Sequence, residues 1–545
     1  VPKRTTIGKQ CPDDPDMMFP NENYYKFYPN EEKPSVIEDT KRSSCLSAGT
    51  GIVIKKVIED SGLGDIVTDI LGKDAGLFFD LAAYSIISEN SAAQYYPDYA
   101  YSHTLFTDDM KIYSDSTISR FLNELPEDCS AAFLDRWNRT RDHREKIYIS
   151  YDSTNKNCQS GNIDYAEFGY AKDDGSKPIF NYSVAYDKEN SEPLFYEEYP
   201  GSVNDVSQFQ FMLEKAKGYG YKHISFILDR GYFSKENIRF MDKEGFDFVI
   251  MMKGMKETAA RMIRSVKGTF EEDRAKSIRT YHTYGETVTG KLYGSDDRDR
   301  YFHVFYSSYK AAAEREAFET KIDRMTRTLK KAQGRTVEFG KEYHKYFDLV
   351  YDEVEKADPE EKNKTIKEKI LVTAIEKVSA VNEDLRLCGY FVVITSRKMT
   401  ARDALEIYKG RDASEKLFRG DKSYLGFNCM RVQSPESLDS RIFIEFVALI
   451  IRNRIYKALK NASQEQEAVR NYMTVPAAIR ELEKLEMLRL GDGTYRQDHA
   501  VTKVQKEILK AFDISDIDVR AGISRIEKVL KEGGSLLNGK KTDKH

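Results

Sequence analysis

The sequence has few of the residues that build disulfide frameworks or zinc sites. Its six cysteines, at positions 11, 45, 129, 158, 388 and 429, lie far apart in 545 residues and include no C-x-x-C pair. The eight histidines form no H-E-x-x-H motif and no cluster with cysteine. Because disulfide frameworks and zinc sites need such spacings, the sequence argues against both.

Long apolar runs are also absent, and the N-terminus lacks the apolar segment of a secretory signal. The longest apolar candidate, Ile442 to Ile451, is interrupted by Glu445, whereas a bilayer-spanning helix needs about 18 or more apolar residues. The composition is 40% hydrophobic and 32% charged, which is typical of a soluble, folded protein. We therefore expect no membrane association and a cytosolic location.

An excess of one charge is missing from the whole chain but present locally. The net charge of −4 excludes a protein that coats nucleic acid by bulk attraction. Between Lys321 and Tyr346, however, eight lysines and arginines accompany three acids. Such a patch can bind phosphates, and the alternative is an ordinary solvated face of a charged helix.

Changes in residue patterning divide the chain into six predicted segments. The first is rich in Pro, Asp, Asn and Tyr and shows neither the helix nor the strand period, which indicates an extended arm. We predict an extended N-terminal arm (1–45), a helical DNA-binding domain (46–143), a catalytic core in two parts (144–253 and 386–460), an inserted β-rich and helical subdomain (254–385) and a C-terminal helical region (461–545).

The DNA-binding role of segment 46–143 depends on one predicted helix. In S-D-S-T-I-S-R-F-L-N-E-L, Ser119 and Arg120 lie opposite the apolar residues Ile118 and Leu122. A recognition helix of a helix-turn-helix unit has this pattern, and so does a helix that only packs. Ser119 and Arg120 are therefore candidate DNA contacts.

From Lys146 onward the pattern becomes that of an α/β core. Strand-like apolar runs and capped helices follow one another as three strands, helix, strand, helix, strand. This order predicts a mixed central sheet. Two acids follow apolar strands of that sheet, Asp152 in Y-D-S-T and Asp229 in I-L-D-R-G-Y. Ligands of open α/β sheets collect at the carboxyl ends of strands, although an acid there often only caps a turn.

A helix after the last core strand carries an unusual polar stripe. Tyr408, Arg411, Glu415 and Lys422 have offsets of 0, 3, 7 and 14, which at about 100° per residue places them within roughly 60° of each other. With Asp152 and Asp229, Glu415 would complete three carboxylates that suit two Mg²⁺ or Mn²⁺ ions and phosphodiester chemistry.

The neighbours of Glu415 on this stripe suit an anionic substrate. Arg411 and Lys422 can bind flanking phosphates, and Tyr408 can donate to a phosphate or stack on an unpaired base. Asp412 is the rival third carboxylate, because it lies only about 40° from Tyr408 around the helix. Gly231, after Asp229, would allow close approach of backbone or substrate.

Together these residues resemble a bacterial insertion-sequence transposase of the DDE type. The resemblance is to the cut-and-paste, insertion-sequence-four-like group with the signature Y-x2-R-x3-E-x6-K, which Tyr408, Arg411, Glu415 and Lys422 match. The two acid contexts of the group, D-x-T and D-x-G-[YF], appear at Asp152 and Asp229. The segment Ser434 to Ile450 is also similar, and the resemblance covers roughly residues 50 to 460.

The resemblance implies an RNase H-like core with an insertion between the second Asp and the Glu. It also implies catalysis by Asp152, Asp229 and Glu415 with two Mg²⁺ or Mn²⁺ ions, binding of terminal inverted repeats and target DNA, nicking and strand transfer. The partners would be DNA and a second copy of the chain in a synaptic complex, in the bacterial cytosol or nucleoid.

One departure from the group concerns a tryptophan that relatives use to stack on a flipped base during hairpin formation. The single tryptophan here is Trp137, upstream of the core. Tyr232 or another aromatic would have to substitute for it, or the hairpin route does not apply. Tyr232 and Arg230, which follow Asp229, are therefore further candidate DNA contacts.

Three alternatives remain open from the sequence. Another RNase H-like DNA nuclease would use the same chemistry on a different substrate. A glycosidase also uses paired carboxylates, but it would not explain the cations beside Glu415. A transposase-derived protein that binds DNA without cutting it is the third.

Overall fold

The computed structural model describes residues 4–537 except 12–13, 15, 32–41, 142–145, 159, 161, 170–174, 204, 253–255, 297, 358–364, 413–424, 427–428, 466–472 and 492. The chain forms two compact units. The central unit is Leu134–Arg419, and the terminal unit combines Val1–Phe133 with Gly420–His545.

The N-terminal part of the terminal unit is mainly helical. Its longest apolar helix, α4, is buried on every side from Ala75 to Ile86, as expected for a helix with no polar face. The predicted arm contains a two-stranded ribbon, β1–β2, and a short helix. The elements are β1 (Gly8–Gln10), β2 (Met18–Pro20), α1 (Glu22–Phe27), β3 (Cys45–Ser47), α2 (Gly49–Ser61), α3 (Leu63–Leu71), α4 (Ala75–Ser88), α5 (Tyr96–Ser102), α6 (Asp115–Glu124) and α7 (Cys129–Arg139).

The central unit begins with the predicted succession of strands and helices. These elements are β4 (Ile147–Cys158), β5 (Ile179–Asp187), β6 (Glu192–Pro200), α8 (Asp205–Gly218), β7 (Ile224–Leu228), α9 (Lys235–Glu244) and β8 (Asp247–Met251). Further elements are α10 (Lys256–Val266), β9 (Ser277–Ile278), β10 (Thr283–Gly290), β11 (Arg300–Tyr306), α11 (Ser308–Ala332), α12 (Lys341–Tyr346), β12 (Phe347–Ala357), β13 (Thr365–Glu376), α13 (Val378–Leu387), β14 (Tyr390–Thr395) and α14 (Ala401–Lys409).

One large mixed sheet organises the central unit. Its strand order is β6–β5–β4–β7–β8–β14–β11–β10–β9. Strands β4, β7 and β8 are parallel, whereas β4–β5, β5–β6 and β8–β14 are antiparallel. All nine residues of β5 are buried, so this strand is covered on both faces. The prediction of a mixed α/β fold with a mixed central sheet is confirmed.

The segment 254–385, predicted as one inserted subdomain, contributes to two different structures. Its hairpin β10–β11 extends the main sheet, because β11 pairs with β14. Phe302, His303 and Val304 are consecutive and all buried, so β11 needs covered faces and a neighbour on each side. The rest, α11 to α13 with the ribbon β12–β13, has its own core around Ile322, Leu329, Leu371 and Leu385.

The C-terminal part of the terminal unit is dominated by one long helix, α15. It packs against α4 and α6, and the rings of Phe443 and Phe78 lie 4.7 Å apart between their centroids. The predicted C-terminal helical region also contains a hairpin that pairs with β3. The elements are β15 (Cys429–Met430), α15 (Pro435–Glu465), α16 (Val475–Leu482), β16 (Glu486–Arg489), β17 (Tyr495–Gln497), α17 (Lys503–Lys510) and α18 (Asp516–Glu532).

None of the helices in the described part of the chain combines the length and apolar character that crossing a bilayer requires.

Candidate active site

Two acids occupy equivalent positions on adjacent parallel strands. Strands β4 and β7 pair in parallel from Ile147 with Ile224 to Tyr151 with Leu228. Asp152 follows Tyr151, and Asp229 follows Leu228, so both acids take the next step beyond the last paired residues. Neighbouring strands lie about 4.8 Å apart. The register therefore brings Asp152 and Asp229 side by side at the carboxyl ends of the parallel strands.

The strand that carries Asp152 is longer than its sequence indicates. The prediction ends this strand near Asp152, but β4 continues to Cys158, and Asp152 pairs with Val184 of β5. The residues from Ser153 to Asn157 are polar yet buried, and polarity concealed their strand character. The parallel pairing of β4 with β7 ends at Tyr151, whereas the antiparallel pairing of β4 with β5 continues to Asn157. Asp152 therefore lies next to the carboxyl end of β7.

Asp229 lies where β7 turns into a short helical turn. Its backbone is still extended, with φ −71° and ψ 160°, and its side chain accepts a hydrogen bond from the Arg230 amide at 2.7 Å. The side chain retains 34% exposure. Asp229 thus combines a local capping bond with an accessible carboxylate, and the two functions do not exclude each other.

Arg411 approaches the same carboxylate from just beyond the end of α14, because this helix ends at Lys409 and does not continue through the signature as predicted. Its Nη1 lies 3.6 Å from Oδ1 of Asp229, and its guanidinium lies 5.7 Å from the centre of the Tyr408 ring. The Arg411 side chain is only 15% exposed. A spacing of three residues therefore places an arginine over a tyrosine ring and beside an acid.

Tyr408 fixes helix α14 to the sheet. Only 5% of Tyr408 is exposed, and it packs in one cluster with Ile227, Val393 and Leu405. The helix begins with a capping box, in which the Asp403 amide donates to Thr400 Oγ1 at 3.1 Å. A tyrosine that the sequence suggested as a DNA contact is thus largely a core residue, which sets where Arg411 lies.

Lys188 also contributes to this region, although it belongs to no motif in the sequence. Its side chain crosses the end of α14 at Gly410, where an added Cβ would lie 2.6 Å from Cδ of Lys188. Burial lowers the pKa of Lys188, while Glu189 and Glu406 act in the opposite direction. The absence of a side chain at Gly410 is what allows the lysine to pass there.

The remaining signature residues are not all within the described part of the chain. Glu415 and Lys422 fall in 413–424, outside the described residues. Asp412, the rival third carboxylate, is described and is exposed. Asp152, Asp229 and Arg411 are therefore the predicted site residues that the structure brings together.

The donor set of this region fits hard divalent cations. Asp152 and Asp229 offer carboxylate oxygens, the ligands that Mg²⁺ and Mn²⁺ prefer. Within the described residues, no group of three or more His, Cys, Asp or Glu is arranged to hold a metal ion. A third carboxylate would have to come from Glu415 or from a rearrangement of Asp412.

Tyr232, a candidate for base stacking, and Trp137, the single tryptophan, are both buried. Tyr232 is 2% exposed, and its ring centre lies 5.4 Å from that of Tyr151 and 5.6 Å from that of Phe209. Trp137 is fully buried, donates from Nε1 to the Pro193 carbonyl at 3.0 Å and carries Arg141 over its ring. Either ring would have to leave its packing to stack on a base. Arg230, in contrast, is exposed.

Ser119 and Arg120 belong to the terminal unit. They are exposed on α6, whose opposite side buries Ile118 and Leu122. Ser114 caps the helix by accepting a hydrogen bond from the Thr117 amide at 3.3 Å. The amphipathic pattern is as expected, and the DNA contacts of Ser119 and Arg120 stay predictions.

Comparison with known proteins defines the class to which this site belongs. The family described as "Transposase DDE domain" matches residues 145–451, more than half of the chain. The match includes both acids and the four signature positions 408, 411, 415 and 422. The chain therefore belongs to the DDE transposase family, and it is a DNA transposase of a family of metal-dependent DNA-cleaving enzymes.

Other comparisons are more distant. The chain is similar, at 10% identity and a TM-score of 0.33, to a piggyBac transposase in a synaptic complex with hairpin DNA, with 95% of this chain and 83% of that chain covered. It is similar to a Mos1 transposase in a paired-end complex with the left transposon end at 10% identity and a TM-score of 0.14, covering 42% and 65%. No curated protein matches the sequence. Neither structural similarity is close enough to support an argument about function.

Proposed function

We propose that this transposase cuts and joins DNA ends with Asp152, Asp229 and Glu415 as its catalytic carboxylates. The observation that carries the proposal is the register of β4 and β7, in which Asp152 and Asp229 are equivalent neighbours. Its support is threefold: the two acids are adjacent, a family match includes them, and Arg411 of the signature already contacts Asp229.

We propose further that the central sheet has the RNase H-like arrangement. Three antiparallel strands, β4 to β6, are followed by two strands parallel to β4, and α8 and α9 form the crossovers. The order β6–β5–β4–β7–β8 supports this assignment. It makes the carboxyl end of β7, next to Asp152 of β4, the natural edge for a phosphodiester substrate.

The three carboxylates would hold two Mg²⁺ or Mn²⁺ ions. When bound, such ions activate the attacking oxygen and stabilise the leaving oxygen of an in-line displacement. The chain's own cations would orient the substrate: Arg411 can bind a phosphate bidentately, and Lys422 can act as a point charge. Tyr408 would act mainly by holding α14 against the sheet.

The substrates that this proposal assigns are the terminal inverted repeats of the mobile element and a target DNA. Water would attack the phosphodiester at the element boundary, breaking the P–O3′ bond and releasing a 3′-hydroxyl and a 5′-phosphate. That 3′-hydroxyl would then attack a target phosphodiester and release a new 3′-hydroxyl. Two copies of the chain would hold the two ends together.

Cleavage and end binding by Asp152→Asn and Asp229→Asn variants test the proposal. We expect both variants to lose Mg²⁺-dependent nicking of a duplex carrying the element's end, and to bind that duplex about as well as the wild type. Asp187→Asn is a poor control because Asp187 accepts three local hydrogen bonds; Asp164→Asn, at an exposed position of the central unit, is better matched. Loss of binding in both variants, with folding intact, would mean that these acids organise structure and not catalysis.

A further inference from the structure

The basic region between Lys321 and Tyr346 divides into cations that stabilise the fold and cations that do not. Lys321 of α11 pairs with Glu342 of α12, and Lys345 of α12 pairs with Asp384 of α13. These two ion pairs tie the three helices together. The other six cations form no ion pair with a described residue: Arg324, Arg327, Lys330, Lys331, Arg335 and Lys341.

The orientation of α11 is fixed by its apolar side. Ile322, Met325, Leu329 and Ala332 are buried in one cluster with Leu371 of the ribbon β12–β13. At about 100° per residue, these four residues span an arc of roughly 80°. The opposite side of the helix must therefore face away from this core.

Three cations occupy that opposite side. Arg324, Arg327 and Lys331 fall within roughly 60° of each other around the helix, and all three are exposed. Arg335 lies three residues beyond the end of α11 and is also exposed. We call these four residues the α11 stripe. Asp323 is an exposed acid at the edge of the stripe and leaves its net charge positive.

The dimensions of the α11 stripe suit a nucleic-acid backbone. With a rise of about 1.5 Å per residue, Arg324 to Lys331 spans roughly 10 Å. One strand of B-DNA presents a phosphate about every 3.4 Å along its axis, so a surface of this length can reach several phosphates. Arg324 and Arg327 are on successive turns of one face of α11, and an arginine can contact phosphate oxygens bidentately.

We propose that the α11 stripe is a sequence-independent DNA-binding surface, separate from the carboxylate site. It contacts the phosphate backbone of duplex DNA through Arg324, Arg327, Lys331 and Arg335. Charge complementarity identifies the partner, because the region 321–346 holds eight lysines and arginines and three acids, and six of these cations form no ion pair with a described residue. The proposal rests on the proposed function only in taking duplex DNA as the substrate.

The salt dependence of DNA binding tests this proposal. The full chain is titrated with a duplex of unrelated sequence at several salt concentrations, as wild type and as the double variant Arg327→Gln/Lys331→Gln. Each lost phosphate contact removes about 0.9 from the slope of log K against log salt, so the variant should lose roughly 1.8. Its thermal unfolding should match the wild type, because both side chains are exposed and neither forms an ion pair with a described residue.

A matched control removes two positive charges elsewhere on the central unit. Lys222 precedes β7 and Lys243 ends α9 before β8, so both lie at the amino ends of the parallel strands, and both are exposed. The variant Lys222→Gln/Lys243→Gln should keep the wild-type slope. Equal loss of slope in both variants, an unchanged slope in Arg327→Gln/Lys331→Gln, or no duplex binding by the wild type would overturn the proposal.

The outcome is distinguishable from failure of the proposed catalytic function. A chain that binds duplex DNA through the α11 stripe but never nicks an end would show the slope change and no Mg²⁺-dependent product. A chain that nicks its ends but shows no slope change would retain the catalytic proposal and lose this one.

Discussion

Nη1 of Arg411 lies 3.6 Å from Oδ1 of Asp229. The arginine of the signature is therefore paired with an acid that the proposed mechanism assigns to metal binding. A guanidinium beside a carboxylate competes with a cation for the same oxygens, because both are attracted by the same negative charge. Binding of a DNA phosphate to Arg411 would relieve this competition.

The first prediction concerns metal affinity in the absence of DNA. Arg411→Gln should bind Mn²⁺ several-fold more tightly than the wild type, since the competing charge beside Asp229 is gone. Mn²⁺ titration followed by electron paramagnetic resonance measures this without any catalysis. Arg230→Gln is the control, because Arg230 is next to Asp229 in sequence but its side chain is exposed. Equal affinity in Arg411→Gln and wild type would show that the ion pair does not oppose metal binding.

The second prediction concerns the packing role of Tyr408. Replacing its buried ring by alanine should lower the free energy of unfolding of the central unit by about 3 kcal/mol, the usual cost of deleting a buried aromatic ring. Tyr408→Phe keeps the ring and should cost less than about 1 kcal/mol. Chemical denaturation monitored by circular dichroism compares the two. A Tyr408→Ala variant as stable as the wild type would contradict the packing assignment.

The third prediction is a pH dependence of stability that comes from His303. Thr395 Oγ1 donates to the Arg397 carbonyl at 2.7 Å, so it accepts from His303 Nε2, and His303 Nδ1 accepts from Thr287 Oγ1 at 3.0 Å. The neutral ring is thus fully hydrogen-bonded. Burial lowers the pKa of His303 from 6.5 to about 4.

The sign of this effect follows from proton binding. Between about pH 6.5 and about pH 4 the unfolded chain binds more protons than the folded chain, so stability falls as the pH is lowered through that window. His303→Gln, which keeps a donor and an acceptor, should reduce this dependence in thermal unfolding measured at several pH values. The exposed His223→Gln should not. A pH dependence unchanged by His303→Gln would exclude the histidine as its source.

Much of the core could be predicted from the sequence because its signals are local. The strands β7 and β8 and the helix α9 have apolar runs, capping residues and glycine stops within a few residues of their observed ends. The proximity of Asp152 to Asp229 is also expected from the rule that ligands of open α/β sheets collect at the carboxyl ends of strands.

Other features depended on contacts that no short segment reveals. The polar residues from Ser153 to Asn157 have a composition typical of a loop, yet they continue β4 because β5 pairs with them. The sequence pattern predicts that the hairpin β10–β11 belongs to an insertion. Only the long-range pairing of β11 with β14 joins this hairpin to the main sheet. Lys188 could not be selected because its proximity to Gly410 joins residues over 200 positions apart.

The central claim is that Glu415 is the third catalytic carboxylate, and one cleavage assay tests it most directly. Wild type, Glu415→Gln and Asp412→Asn are incubated with a duplex carrying the element's end and Mg²⁺. We expect a metal-dependent nick at the repeat boundary with the wild type and with Asp412→Asn, and none with Glu415→Gln. Cleavage by Glu415→Gln at the wild-type rate would contradict the claim. Binding of the ends without cleavage by the wild type, in Mg²⁺ or Mn²⁺, would instead indicate a transposase retained only as a DNA-binding protein.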